Sequence, residues 1–292
     1  MNYFKNIQTR FGSSDALFKL IAINVAVFLV PGIITIFLEL FKSHSDFFKN
    51  ILAMSSSLNV LLTRPWTIIT YMFFHQQIFH LLFNMLALYW FGKIFAIYFN
   101  EKQLVAVYLL GGIVGGLTML AAYNSFPIFN DIVPLLGASG SVMAIITAAA
   151  VQTPNMELRF FMFPVKLKYI AIGAIVISFF GITKGNAGGE FAHLGGALLG
   201  LIFVLMLRQG KDITSWLNKL IDSIVSLFSK PKPKLKVSKP NWQNQQMSDA
   251  EYNVNKAARQ EEIDRILDKI KASGYESLTA DEKRRLFEQG KK

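Results

Sequence analysis

Long, uninterrupted apolar runs separated by short polar stretches set the character of this 292-residue chain. The runs predict helices over Phe18 to Leu40, Tyr71 to Phe99, Leu104 to Ala122, Ser139 to Val151, Tyr169 to Thr183 and Phe191 to Leu207. A hydrocarbon core ~30 Å thick takes roughly 20 helical residues to cross, so the fourth run is short for a span. Continuous runs argue against lipid-facing strands, which would alternate apolar and polar positions. The expected fold is therefore all-α, a polytopic membrane protein with a bundle of six transmembrane helices over residues 1–208. Beyond Arg208 the pattern changes. Ile213, Trp216, Leu217, Leu220, Ile221, Ile224, Val225 and Phe228 recur at helical spacing, as in an amphipathic helix lying along a membrane surface. The run Lys230-Pro231-Lys232-Pro233-Lys234-Leu235-Lys236 then reads as an extended basic linker. Helix and linker make up residues 209–245. Residues 246–292 read as a small helical cytoplasmic module: Ile263, Ile266, Leu267 and Ile270 form one face, Gly274 ends the helix, and Thr279 with Glu282 forms a capping box for a last short helix.

Composition agrees with a membrane protein. Residues are 52% hydrophobic with 26 Phe, only 17% are charged, and the mean hydropathy is +0.37. The net charge of +11 could suggest nucleic acid, but basic loops facing the cytoplasm and anionic lipid explain it better, so no nucleic-acid partner is expected. Lys5, Arg10 and Lys19, then Lys93 and Lys102, then Arg159, Lys166 and Lys168 fall on one side of the alternating spans. Lys42, Lys49, Arg64 and Lys184 fall on the other, and residues 123–136 carry no Lys or Arg. That bias places both termini in the cytoplasm, in a bacterial-type plasma membrane. The first run has no small-residue cleavage site after it and reads as a retained span rather than a removed signal. With no cysteine, disulfides and thiolate metal sites are excluded.

A few polar residues interrupt the apolar runs, and such residues at membrane depth are usually functional. Ser139 opens the short fourth helix between Gly137 and Gly140, with Pro134 just before it. Backbone N–H groups at a helix start lack partners and favour a developing anion. His193 lies in the last run. Gly196 and Gly200 stand at the small-xxx-small spacing that lets helices approach closely, here the sixth against the fourth. His193 could then take the Ser139 proton as general base. His80 and Asn84 share one face of the second helix, either as an interhelical hydrogen bond or as donors to an oxyanion. His75, five residues before His80, reads as a loop or helix-start residue shaping the site. Glu190 and Asp131 read as solvated or local-structure carboxylates, leaving a two-residue Ser–His site. No His-Glu-x-x-His is present and no metal or other cofactor is expected.

The segments Pro65-Trp66-Thr67, Thr70-Tyr71-Met72-Phe73-Phe74-His75, His80-Leu81-Leu82-Phe83-Asn84, Gly137-Ala138-Ser139-Gly140 and Ala192-His193-Leu194-Gly195-Gly196 together closely resemble the rhomboid intramembrane serine proteases. The resemblance covers about residues 18–208 and implies a six-helix bundle around a water-filled cavity. It implies Ser139 as nucleophile, His193 as its base, and His80, Asn84 and the Ser139 backbone N–H as the oxyanion hole. The implied partners are single-span membrane protein substrates, cut in or near the membrane; nothing bears on oligomeric state. In some bacterial members a tyrosine stacks on the histidine from the position held here by Met143, and a glutamate occupies the position of Ala96. The rival readings are a client-binding relative that holds membrane proteins without cutting them, and a transporter, which would show inverted repeats that this chain lacks.

Overall fold

In the computed structural model the described residues are 16–42, 46–160, 163–228 and 249–289. The expected N-terminal basic stretch and the Lys230–Lys236 linker lie outside them. The chain divides into two compact units, Met1–Ser229 and Lys230–Lys292.

The first unit opens with α1 (Ala16–Leu40), apolar on nearly every face, which leaves Val30, Ile36 and Phe37 exposed as a lipid-facing surface requires. One polar side chain on α1, Asn24, is fully buried, and its amide donates to the Tyr108 hydroxyl at 2.9 Å. A folded segment follows, made of α2 (Phe47–Leu52), β1 (Met54–Ser55), α3 (Leu58–Thr63) and α4 (Thr67–Thr70). Side chains tie it together: Arg64 Nη1 donates to the Asn50 carbonyl at 2.6 Å, Trp66 Nε1 to that of Ile51 at 2.9 Å, and Thr70 Oγ1 to that of Leu52 at 2.9 Å. The second long helix, α5, covers Ile78–Tyr98 rather than starting at Tyr71. Residues Tyr71–Phe73 close a 3₁₀ turn, and Phe74 and Gln77 are extended. The reason is local: the Tyr71 carbonyl accepts from the N–H groups of both Phe74 and Gly137, so no α-helix can run through it.

Next come α6 (Glu101–Ser125), started by an Asn100–Gln103 capping box, β2 (Pro134–Leu135), α7 (Ser139–Gln152), α8 (Leu167–Gly181) and α9 (Ala187–Arg208). β2 pairs antiparallel with β1, joining the two segments that lead to the polar ends of α5 and α7. A small hairpin, β3 (Glu157–Phe160) with β4 (Phe163–Lys166), links α7 to α8. Strands were not expected there, because the reading of apolar runs passed over this mixed stretch. Among the described residues four helices, α1, α5, α6 and α9, are long and apolar enough to cross a membrane, and α7 and α8 are shorter apolar helices.

The core forms where α6, α7 and α9 meet. Glycines let the backbones close in. A methyl at Gly196 of α9 would run into the Gly140 carbonyl of α7, and one at Gly200 into the Ala144 carbonyl. The Ala192 carbonyl oxygen sits in a slot, 2.7 Å from where a Gly115 methyl would stand on α6 and 3.1 Å from where a Gly140 methyl would. α10 (Ser215–Phe228) follows, with Leu217 buried and Trp216 and Leu220 exposed. It is tied to the start of α6 by a Lys102–Asp222 ion pair of 2.6 Å, with Gln103 bonding the preceding Asp212 at 3.0 Å.

In the second unit, α11 (Asp249–Ser273) ends at Gly274, which adopts φ +79°, and α12 (Ala280–Gln289) follows. The Thr279–Glu282 box forms as expected, the Thr279 N–H reaching the Glu282 carboxylate at 2.7 Å. Lys269 pairs with Glu282 at 3.0 Å and Arg285 with Glu262, while Ile266 and Leu278 are buried.

The glycine contacts predict a selective stability effect. Gly196→Ala should destabilise the detergent-solubilised protein by about 1–3 kcal/mol, because the methyl meets backbone that cannot move aside. Gly173→Ala on α8, with nothing within 4 Å, should leave stability unchanged or raise it by up to ~1 kcal/mol. Thermal unfolding of both variants checks this.

Candidate active site

The turn that starts α7 has unusual backbone. Gly137 adopts φ +106°, a conformation glycine reaches without steric cost, and donates its N–H to the Tyr71 carbonyl at 2.9 Å. Its lack of a side chain also admits His80, whose Cε1 would lie 2.5 Å from any Cβ there. α7 begins at Ser139, so the N–H groups of Ser139, Gly140 and Ser141 fall in the first turn, where no carbonyl four residues back is helical. The first intrahelical bond runs from the Val142 N–H to the Ala138 carbonyl at 2.9 Å.

His75 pins this turn from outside. It is buried ahead of α5, with Nε2 3.2 Å from the Ala138 backbone nitrogen and Nδ1 3.3 Å from the Phe73 carbonyl. A backbone N–H only donates and a carbonyl only accepts, so Nε2 holds the lone pair and Nδ1 the proton. His75 is thus neutral. Burial pushes its pKa down to about 4, and the nearby His80 adds to the effect. The His75 and His80 rings meet edge to face, centroids 5.1 Å apart. Asn84, one turn further along α5, is buried and donates one amide hydrogen to the His80 carbonyl at 2.8 Å. The amide has a second hydrogen to offer.

His193 comes from α9. Ala192 is wedged between Gly115 and Gly140, which seats the next residue at the Ser139 end of the α7–α9 contact. The structure therefore gathers Ser139, His193, His80 and His75 at one end of the bundle, with Asn84 just below. Gly137, Gly140, Gly196 and Gly200 provide the close approaches, and Met143 is buried one turn into α7 from Ser139.

Two further residues contact His193, of which the sequence reading names only Glu190. Glu190 Oε2 lies 3.2 Å from His193 Nδ1, and Ser178 Oγ of α8 lies 3.0 Å from the same nitrogen. Glu190, read from the sequence as a solvated or local-structure carboxylate, thus makes a local contact on its own helix. Its spacing of three from His193 on one helix was the available signal. Ser178 gave none, being one small polar residue in an apolar run. Asp131 does lie in an exposed loop, as expected.

Such an arrangement, a serine at the start of a shortened apolar helix packed closely against the long helix that carries a histidine, defines a multi-pass membrane protein with a candidate hydrolytic centre. The Rhomboid domain model matches residues 62–210, about half of the chain, and the chain belongs to the rhomboid family. Similar proteins include RHOMBOID-like protein 12, mitochondrial, of Arabidopsis thaliana, 34% identical over 161 residues, which cover 51% of this chain and 48% of that one. Rhomboid protein 1, mitochondrial, of Saccharomyces cerevisiae is 29% identical over 150 residues, covering 48% of this chain and 41% of that one. Presenilin-associated rhomboid-like protein, mitochondrial, of Homo sapiens is 30% identical over 137 residues, covering 45% and 35%. The chain thus spans less than half the length of these curated relatives. Their names place those proteins in mitochondria, unlike the bacterial-type plasma membrane expected from the sequence. Residues 247–292 match a family of unknown function, DUF6576.

Removing the His75 ring should expose the role of its bond. His75→Ala leaves the buried Ala138 N–H without its acceptor and should cost ~1–3 kcal/mol in the detergent-solubilised protein. An unchanged unfolding midpoint would mean that the ring does not hold this turn.

Proposed function

We propose that the chain is an intramembrane serine endopeptidase that cleaves single-span membrane proteins within or near their membrane segment. The observation that carries this reading is the seating of the Ser139 turn against the His193 turn through Gly140, Gly196 and Ala192. α7 has 14 residues and spans ~21 Å, less than a hydrocarbon core of ~30 Å. Its Ser139 end lies below the membrane surface, and backbone at that depth is tolerated only against protein or water. With α7 and α8 counted, six helices cross, and both termini share one side, the cytoplasmic one.

In the reaction, the Ser139 hydroxyl attacks the scissile carbonyl as His193 Nε2 takes its proton. The new oxyanion accepts hydrogen bonds from the Ser139 N–H at the positive end of α7, from Asn84 and from His80. As the tetrahedral carbon collapses, the amine leaves with the proton held on His193. Water then attacks the acyl-serine by the same relay in reverse and frees the acid. A helical substrate keeps its carbonyls bonded to N–H groups four residues on, so the scissile segment must unwind to reach Ser139. Residues that disfavour helix, glycine above all, lower that cost. α8 exposes Ile172, Ile177, Phe179 and Phe180, a surface suited to apolar transmembrane substrate.

The test is cleavage of a fluorogenic single-span substrate by purified protein in detergent. Ser139→Ala and His193→Ala should each lower kcat by ~10³-fold or more, and Asn84→Ala by ~10²- to 10³-fold. Cleavage at the wild-type rate by the first two variants would overturn the reading. Absence of cleavage by the wild type would overturn it as well, in favour of a protein that holds membrane clients without cutting them.

A further inference from the structure

The imidazole of His193 has a second side, and it is occupied. Nδ1 lies 3.2 Å from Glu190 Oε2 and 3.0 Å from Ser178 Oγ. Glu190 sits one turn before His193 on α9, and Ser178 projects from α8, where it is buried. A glutamate in the first turn of a helix is ordinarily explained by the helix dipole, with its carboxylate near the free N–H groups or in water. Here the carboxylate turns toward α8 instead. It fills a notch at Gly181, one turn after Ser178, where a Cβ would come within 2.8 Å of the carboxyl carbon. Its side chain is 17% exposed, and it borders a cleft of about 410 Å³ together with Val176, Ile177 and Lys184.

This geometry decides where the proton is. An ionised carboxylate can only accept, so Nδ1 carries the hydrogen and Nε2 the lone pair. The Ser178 oxygen shares the Nδ1–H, and its own hydroxyl hydrogen is left to reach the Glu190 carboxylate. From these contacts we infer that Glu190 is a third member of the site, a positioning residue that locks His193 in its Nδ1–H tautomer and balances the imidazolium formed when Ser139 is deprotonated, with Ser178 fastening the pair from α8. The centre is then a Ser–His–Glu relay rather than a dyad. Glu190 takes no proton itself; it orients the ring and opposes its charge. The inference rests on the protease reading for its kinetic consequence, but the tautomer it assigns stands apart from catalysis.

Two measurements on the full chain test it. In kinetics, Glu190→Gln should lower kcat by ~10- to 100-fold with KM changed less than ~2-fold, as for other residues that act by orienting a histidine. Glu190→Asp, which keeps the charge on a shorter arm, should recover part of that loss, and Ser178→Ala should cost less than either. In spectroscopy, the chain has only four histidines, so selective ¹⁵N-histidine labelling with a His193→Gln control assigns the ring. Wild type should show His193 as Nδ1–H, and Glu190→Gln should show a tautomer mixture at an unchanged unfolding midpoint. An active wild type matched in kcat by Glu190→Gln would overturn the third-member role and leave the protease reading standing. An inactive wild type would count against the protease reading, and the His193 nitrogen shifts would then decide the tautomer alone: an Nε2–H ring, or Nδ1–H retained in Glu190→Gln, overturns the inference.

Discussion

Everything at the candidate site depends on two helices approaching nearer than side chains normally permit. At Gly140 against Gly196 and Ala144 against Gly200, α7 and α9 touch backbone to backbone, with no room for a methyl. In a membrane, where lipid is as apolar as leucine, such contact is what holds helices together, since burying apolar surface gains little. It also fixes register. Ala192, caught between Gly115 and Gly140, cannot slide along the helix axis without striking backbone on either side, and its neighbour His193 is held to the same tolerance. Catalytic groups need placement within about 0.5 Å, and interlocked backbones supply that better than flexible side chains.

Around this rigid contact, hydrogen bonds set the chemistry of each ring. His75 and His193 both carry their proton on Nδ1 but serve different ends. The Nε2 of His75 is committed to the Ala138 N–H and so braces the turn beneath Ser139. The Nε2 of His193 is the nitrogen that Glu190 and Ser178 leave unclaimed. His80 meets the His75 ring edge to face and shares its helix with Asn84, so the braced turn and the α5 donors are set against one another.

Much of this was legible in the chain. The apolar runs located the long helices to within a few residues except at the start of α5, and the glycine spacing of α9 pointed to its partner. Ser139, His193, His80 and Asn84 stood out because polar groups are expensive at membrane depth. The departures have local causes. The early start expected for α5 failed because hydropathy does not register the Tyr71 carbonyl's bond to Gly137, a contact across 66 residues. The β3–β4 hairpin is too short and mixed for periodicity to detect. The two readings of Glu190, solvated or local, stayed open because whether a first-turn carboxylate faces water or a ring depends on Gly181 of another helix. Ser178 could be found only by knowing which face of α8 turns inward. In each case the deciding fact is a tertiary contact, which a linear pattern does not contain.

In the proposed reaction His193 makes Ser139 a nucleophile. A fluorophosphonate reports on it without any substrate, because it reacts covalently only with an activated serine hydroxyl. Intact-mass analysis of the full chain should show one adduct, mapped by peptide mass to Ser139, and its rate of formation should collapse in His193→Ala. No adduct, an adduct on another serine, or labelling that His193→Ala leaves untouched would contradict it.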